Sequence, residues 1–393
     1  MSANENPFPC KPFIPFTRPH FNQETIDAVS EVLRSGWVTS GPKLAQFEAT
    51  LSEYFGGRPV RCFANGTATM KIALQVAGIG AGDEVITTPI SWVATSNVIL
   101  GVGATPVFVD IDPVTRNIDL NKVAAAITSK TRAIMPVYLA GLPVDMDQLY
   151  SIAKQHNLRV IEDAAQAFGS QWKGQKIGSF GDLVSFSFQA NKNLSTVEGG
   201  CLVLNNLDEA KLAEKFRLQG LTREGMDSMD VDLLGGKDNM TDVNAVIGLH
   251  QLTQLPVFQT RRAALARQYF DVIRVEMKSA QLEHVKLGLP VENFTESNWH
   301  MFQVVLPLDQ LNADRAQVMT ELKDLGIGTG VHYPLITGFT LYQKLGYKTE
   351  STPIAQRIGR SILTLPLFPG MADEDIGRIV SGLVGILKKH LKN

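Results

Sequence analysis

Four short stretches carry residue types that could do covalent chemistry, and the first centres on a lysine. In VSFSFQANKNLSTVEGGCLVLN (184–205), Lys192 stands between two apolar, strand-like runs, and Gly199 and Gly200 let the chain turn tightly after Glu198. A lysine at the edge of a core is partly stripped of water, which lowers its pKa and makes its amine a nucleophile for carbonyl groups. The alternative is a solvated lysine on a hairpin loop. In RCFANGTATMKIALQVAG (61–78) a strand-like run breaks at Asn65 and Gly66, and a helix starts at Thr67. Free backbone N–H groups and a hydroxyl there suit phosphate, although an ordinary capped helix reads the same way. In LRVIEDAAQAFGS (158–170), Asp163 falls at the carboxyl end of a buried strand, where ligands of open α/β sheets bind. A carboxylate there needs a cation or hydrogen bonds, or it caps the next helix. In TTPISWVATSNVI (87–99), Trp92 offers a flat ring for stacking or for the core.

The elements that must position these groups follow from periodicity. After a loose arm to about His20, a helix runs from an Asn22 cap to Gly36, with Ile26, Val29 and Leu33 on one face. The loop GWVTSGP (36–42) carries Trp37 and Thr39, and a second helix sets Leu44, Phe47, Leu51 and Tyr54 on one side. To about residue 205, strand-like runs (EVITTP, PVFVDI, AIMPVYL, LRVIED) alternate with helical ones (TMKIALQVA, MDQLYSIAKQH), which argues an α/β domain with a largely parallel sheet. After Pro256 the pattern turns to a long helix (about Thr260 to Met277), the strand-like HMFQVVLP, a helix before GIGTGVHYP, and a final amphipathic helix from about Asp373. We therefore expect a large α/β domain over 1–256 and a smaller α+β domain over 257–393.

Composition narrows the classes. The 393 residues are 44% hydrophobic and 19% charged, which is globular, and a formal net charge of −2 gives no basic footprint for nucleic acid. Cys10, Cys62 and Cys201 are widely spaced and odd in number, as in a reducing cytoplasm. No run reaches the roughly 18 apolar residues of a membrane helix, and the N-terminus lacks an apolar signal core. The seven histidines have no metal-ligand spacing, GIGTG follows a helix and not a strand, and no G-x-S-x-G elbow is present. Zinc, dinucleotide and serine-hydrolase readings are disfavoured.

A reactive lysine, a phosphate cradle, a strand-end aspartate and a stacking ring are together what pyridoxal phosphate requires. SGWVTSGPKLAQFE, NGTATMKIAL, SWVATSN, VIEDAAQAFG, SFSFQANKNLSTVEGG, DNMTDVNAVIGLHQL and SILTLPLFPGM occur in that order, and over nearly its whole length the chain resembles the sugar-nucleotide aminotransferases of the DegT/DnrJ/StrS group. The resemblance implies fold type I: a mixed, mostly parallel seven-stranded sheet, a smaller C-terminal domain and a homodimer with shared active sites. It implies that Lys192 is the Schiff-base lysine, Asp163 the partner of the pyridine nitrogen and Gln166 the neighbour of the phenolic oxygen. Gly66, Thr67, Ala68 and Ser187 would hold phosphate, Trp92 would stack, and Asn239 would reach the phosphate of the partner's cofactor. Trp37, Thr39, Gln189, Arg223, His332 and Tyr333 are the candidates on the substrate side.

The activity so implied is transamination from a donor such as glutamate to a nucleotide-linked keto-deoxysugar. Where family members often have histidine, this chain has Gln189, Gln219, Tyr138 and Thr337, which keeps a transaminase for non-sugar amines or ketones open. A non-enzymatic regulator is disfavoured by an intact Lys192 and Asp163. A sugar dehydratase is disfavoured because those relatives carry histidine at the Lys192 position.

Overall fold

The short apolar runs of the first half assemble into one sheet. The structure is a computed structural model that describes residues 12–223, 225 and 227–392; Cys10 lies outside them. The strands are β1 (Val60–Phe63), β2 (Glu84–Thr87), β3 (Thr105–Phe108), β4 (Thr131–Met135), β5 (Arg159–Asp163), β6 (Leu183–Ser187) and β7 (Gly200–Val203). They form a seven-stranded sheet in the order β1-β7-β6-β5-β4-β2-β3. The pairs from β6 to β3 are parallel, whereas β7 runs antiparallel to both β6 and β1. The expected mixed, mostly parallel sheet is therefore present.

Both faces of the sheet are covered, so its strands read as nearly continuous apolar runs. Helices Gly66–Val76, Ala94–Gly101 and Leu207–Arg217 pack on one face with Ile161 and Leu202. Helices Pro42–Tyr54 and Met146–Gln155 and the start of the long helix Asp242–Ser279 pack on the other, around Phe47, Phe55, Phe168, Phe186 and Phe188. Alternation along β5 then sends Glu162 and Asp163 to opposite faces. Cys62 and Cys201 face each other across β1 and β7, both buried and both free thiols.

The second half builds a separate core on Tyr269, Phe270, Trp299 and Phe302, with the antiparallel pair Phe302–Val305 and Ile362–Leu365 and helices Arg315–Asp324 and Asp373–His390. Ile376, Ile379, Val380, Leu383 and Leu387 on the last helix are all buried there, as its apolar spacing predicts.

Three expectations need correcting. The helix expected from about Thr260 begins at Asp242 and runs unbroken through Pro256, because an isolated proline removes one N–H bond without ending a helix packed on both sides. The arm expected to be loose is pinned at Ile14, which exchanges backbone bonds with Gly326 and Gly328 (2.9 and 2.8 Å) and joins the C-terminal core. Helix Gln23–Ser35 has its expected Asn22 and Gly36 caps, yet Ile26 and Leu33 on its apolar face are 50% and 57% exposed. Among the described residues no helix is long and apolar enough to cross a membrane.

Candidate active site

At the carboxyl ends of β5 and β6 a cavity of about 460 Å3 opens. Gly66, Thr67, Trp92, Asp163, Gln166, Ser187, Gln189, Lys192, His332 and Tyr333 all line it. A larger groove of about 740 Å3 beside helix Gln23–Ser35 holds none of the candidates.

Lys192 sits on the loop between β6 and β7, which is drawn tight by Phe188 N–H on Gly199 O (2.8 Å), Thr196 N–H on Phe188 O (2.8 Å) and Lys192 N–H on Gln189 O (2.9 Å). The two buried strands therefore fix both ends of the loop and turn the lysine into the cavity wall. Desolvation brings its pKa down to about 8, although the carboxylates of Asp163 and Glu198 oppose that shift. An amine so placed is available unprotonated near neutral pH.

Asp163, 4% exposed, ends β5. Thr95 Oγ1 donates to its Oδ2 at 2.7 Å and Ala165 N–H to its Oδ1 at 3.2 Å. Burial raises its pKa, against those two bonds and the Lys192 charge. A carboxylate in that state gains most from a cationic N–H set against it. Thr95, one turn along from Trp92, was not singled out in the sequence; its only signal there is its spacing from Ser91 and Trp92 at a helix start.

The start of helix Gly66–Val76 is shaped by close approach. A Cβ on Gly66 would lie 2.8 Å from Ser187 Cβ, and one on Gly200 would lie 2.6 Å from Phe186 O, so glycine alone lets the first turn sit against β6 and β7. Asn65 caps the helix by accepting Ala68 N–H at 2.8 Å. The N–H of Ala68, expected for the phosphate cradle, is taken by this cap, and Ala68 is not among the residues lining the cavity. Gly66 and Thr67 occupy the first two helical positions, whose N–H groups have no acceptor within the helix, and both line the cavity together with the Ser187 hydroxyl.

On the far wall, Gln166 is fixed by Ala140 N–H on its Oε1 (2.7 Å) and donates from Nε2 to the Tyr333 hydroxyl (3.0 Å). Burial pushes the Tyr333 phenol up and brings His332 down to about 4, with Lys192 adding to the latter shift. Both are neutral at pH 7. Trp92 is 62% exposed, its ring 6.2 Å from that of Tyr333.

Other candidates lie elsewhere. Trp37 and Thr39 are exposed and off the cavity. Asn239 donates to Ser40 Oγ (2.7 Å) and accepts from Lys237, also away from it. Arg223 belongs to the strand Leu221–Arg223, and its side chain lies outside the described residues. Of the four positions without histidine, Gln189 alone lines the cavity. Gln219 is exposed at φ 61°, Thr337 is fully buried, and Tyr138 donates to Glu162 (2.7 Å) on the opposite face of the sheet.

The donor set fits pyridoxal phosphate. The lining combines free helix N–H groups and hydroxyls, an amine whose pKa is brought down to about 8, a buried carboxylate and an exposed indole. Fold and site together define a pyridoxal-phosphate-dependent aminotransferase of fold type I. The chain belongs to the DegT/DnrJ/EryC1/StrS aminotransferase family, whose model matches residues 19–384. The spore coat polysaccharide biosynthesis protein SpsC of Bacillus subtilis is 38% identical over 96% of this chain and 97% of its own. Among solved structures, Spr1654 of Streptococcus pneumoniae, assigned as a sugar aminotransferase and seen in a PLP-form, is 32% identical with a TM-score of 0.88, covering 97% of this chain and 100% of that one. Helicobacter pylori PseC, an aminotransferase in pseudoaminic acid biosynthesis, is 26% identical with a TM-score of 0.88 over 96% of this chain and all of that one.

Proposed function

We propose that this aminotransferase moves an amino group from a donor such as glutamate to the keto group of a nucleotide-linked deoxysugar, in the making of a surface polysaccharide or glycoside. The observation that carries the proposal is the convergence of Lys192, Asp163 and the helix start at Gly66 on one cavity, in a chain whose relatives include SpsC and PseC. When bound, pyridoxal phosphate supplies an aldehyde that captures the amino group and a ring that takes up the electron pair left by the departing α-proton.

The protein's residues do the rest. Lys192 would hold the cofactor through its amine and, once displaced by the donor amine, would take the donor's α-proton and return it to the cofactor carbon on the other side of the transferred nitrogen; a pKa of about 8 leaves both protonation states accessible. Asp163 would keep a proton on the ring nitrogen. Gly66, Thr67 and Ser187 would hold phosphate, Trp92 would stack on the ring, and Gln166 and Tyr333 would bound the far side. Neutral His332 adds no competing charge.

A homodimer with shared sites belongs to the same reading. It is supported by the exposed apolar face of helix Gln23–Ser35 and by the placement of Trp37 and Asn239 off their own chain's cavity. The division of the chain near residue 256, with separate cores on either side, and a cytoplasmic location that keeps Cys62 and Cys201 reduced are further parts of it.

The test is a panel of amino donors and keto acceptors, followed by the cofactor's absorbance change and by product mass. Borohydride reduction should fix the cofactor on Lys192, and label on another lysine would overturn the assignment. A transaminase for non-sugar ketones is the second reading, favoured by Gln189 on the cavity wall. It prevails if only non-sugar acceptors turn over.

A further inference from the structure

Behind the cavity wall, three buried side chains join two loops that the sequence leaves far apart. Asn193 follows Lys192 directly; Asn298 and His300 lie between the long helix and strand Phe302–Val305. Their exposures are 5%, 4% and 4%, and none lines the cavity.

The hydrogen bonds leave little freedom. Asn193 Nδ2 donates to Asn298 O at 3.1 Å, so its Oδ1 faces His300 Nδ1, also at 3.1 Å. That geometry selects the neutral tautomer of His300 with the proton on Nδ1. Burial, with Lys192, Arg262 and His332 nearby, holds its pKa well below 6.5, in agreement. Asn298 Nδ2 donates to Gln166 O (2.9 Å) and Phe168 O (3.0 Å), while its Oδ1 accepts His300 N–H at 3.0 Å. A Cβ on Gly141 would lie 1.8 Å from that oxygen, so the neighbouring turn is shaped around it. His300 N–H also reaches Ala140 O (3.1 Å), and Ala140 N–H holds Gln166 Oε1 (2.7 Å). An unbroken path of bonds therefore runs from the residue after Lys192 to the loop after Asp163 and to the Gln166 carboxamide.

We infer that Asn193, Asn298 and His300 are positioning residues that fix the span between the lysine loop and the Gln166 loop and keep water from entering behind the Lys192 amine. Their catalytic consequence rests on the reading of Lys192 as the cofactor lysine; the network itself does not. The groups facing that amine are Asp163 from β5, Glu198 from its own loop, His332 and Tyr333 from the far wall, and His300 from behind. With these unchanged, loosening the network admits water and moves the amine back toward its ordinary pKa of 10.5.

The experiment is pulsed acetylation of the full-length, cofactor-free chain across pH, with Lys192 occupancy read by peptide mass spectrometry and folding by circular dichroism. The wild-type midpoint should fall near 8. Asn193→Ala, which loses both bonds, and His300→Phe, which keeps a ring but no donor, should raise it by about one pH unit or more, a tenfold change in protonation. His300→Asn keeps a neutral donor where Nδ1 stood and should restore the wild-type midpoint. An unmoved midpoint in the folded variants overturns the inference, and failure of His300→Asn to restore it overturns the hydrogen-bond assignment. Global unfolding of both Asn193→Ala and His300→Phe also overturns it, since a local role leaves the fold standing. Because the readout needs no cofactor, borohydride label on a different lysine would refute the functional reading without touching this one.

Discussion

Glu162 and Asp163 are adjacent carboxylates on one strand, and the alternation of β5 gives them opposite environments. Asp163 faces the cavity and accepts from Thr95 and Ala165, so replacing its charge removes what would hold a ring nitrogen protonated. Asp163→Asn should still take up cofactor but lose about 30- to 150-fold in turnover, since a charge-assisted contact is worth about 2–3 kcal/mol and each ~1.4 kcal/mol is tenfold; near-normal turnover would remove the role given to it. Glu162, fully buried on the other face, is held by neutral donors, Tyr138 at 2.7 Å and Tyr150 at 2.5 Å, and burial pushes it from 4.5 up to about 7. The folded state keeps this proton after the unfolded chain has lost it. Stability therefore falls as pH rises from about 4.5 to about 7 and levels above. Glu162→Gln should flatten that slope in denaturation midpoints taken at several pH values, and an unchanged slope would place the titration elsewhere. Lys192 and Asp163 were legible in the sequence because each lies within or beside a local apolar run. Thr95, Asn298 and His300 were not, because only the fold brings Thr95 to Asp163 and the other two to Asn193, the residue after Lys192.

At the scale of elements, the helix start at Gly66 is sensitive to a single methyl group. Gly66→Ala would drive a Cβ against Ser187 and lift the first turn away from β6. If the N–H groups of that turn hold the cofactor's phosphate, as proposed, cofactor affinity should fall about tenfold or more while circular dichroism is unchanged, since each ~1.4 kcal/mol is tenfold in Kd; equilibrium dialysis with an unaltered Kd would show that the cradle is elsewhere. The helix and its Asn–Gly start were readable from the sequence. That Asn65 would consume the Ala68 N–H was not, since a cap and an anion site share one signature. Periodicity likewise marked helix Gln23–Ser35 as amphipathic but could not say what covers its apolar face. Pro256 misled for the opposite reason: proline is a strong local signal, and packing along the whole length of Asp242–Ser279 overrides it.

At the scale of the molecule, the placement of Asn239 separates two readings. If it serves a partner's phosphate, mixing a Lys192→Ala chain with an Asn239→Ala chain gives heterodimers with one site lacking both residues and one lacking neither. Cofactor titration should then recover wild-type affinity at up to half the sites of each heterodimer; no recovery would confine Asn239 to its own chain. The sheet order has a further consequence, for synthesis. Within the sheet β1 pairs with β7, its Phe63 making one further bridge to Asn239, and β7 enters antiparallel between β1 and β6. Strands β2 to β6 can associate as they leave the ribosome, but β1 waits through all of them for its partner, a long loop to close. The helix that follows β1 packs on β6 and β7 and waits with it. The order of emergence is thus not the order of closure. The helix start at Gly66 is made first and seated last, and a nascent chain has no finished wall on that side of the cavity until Lys192 has also been made.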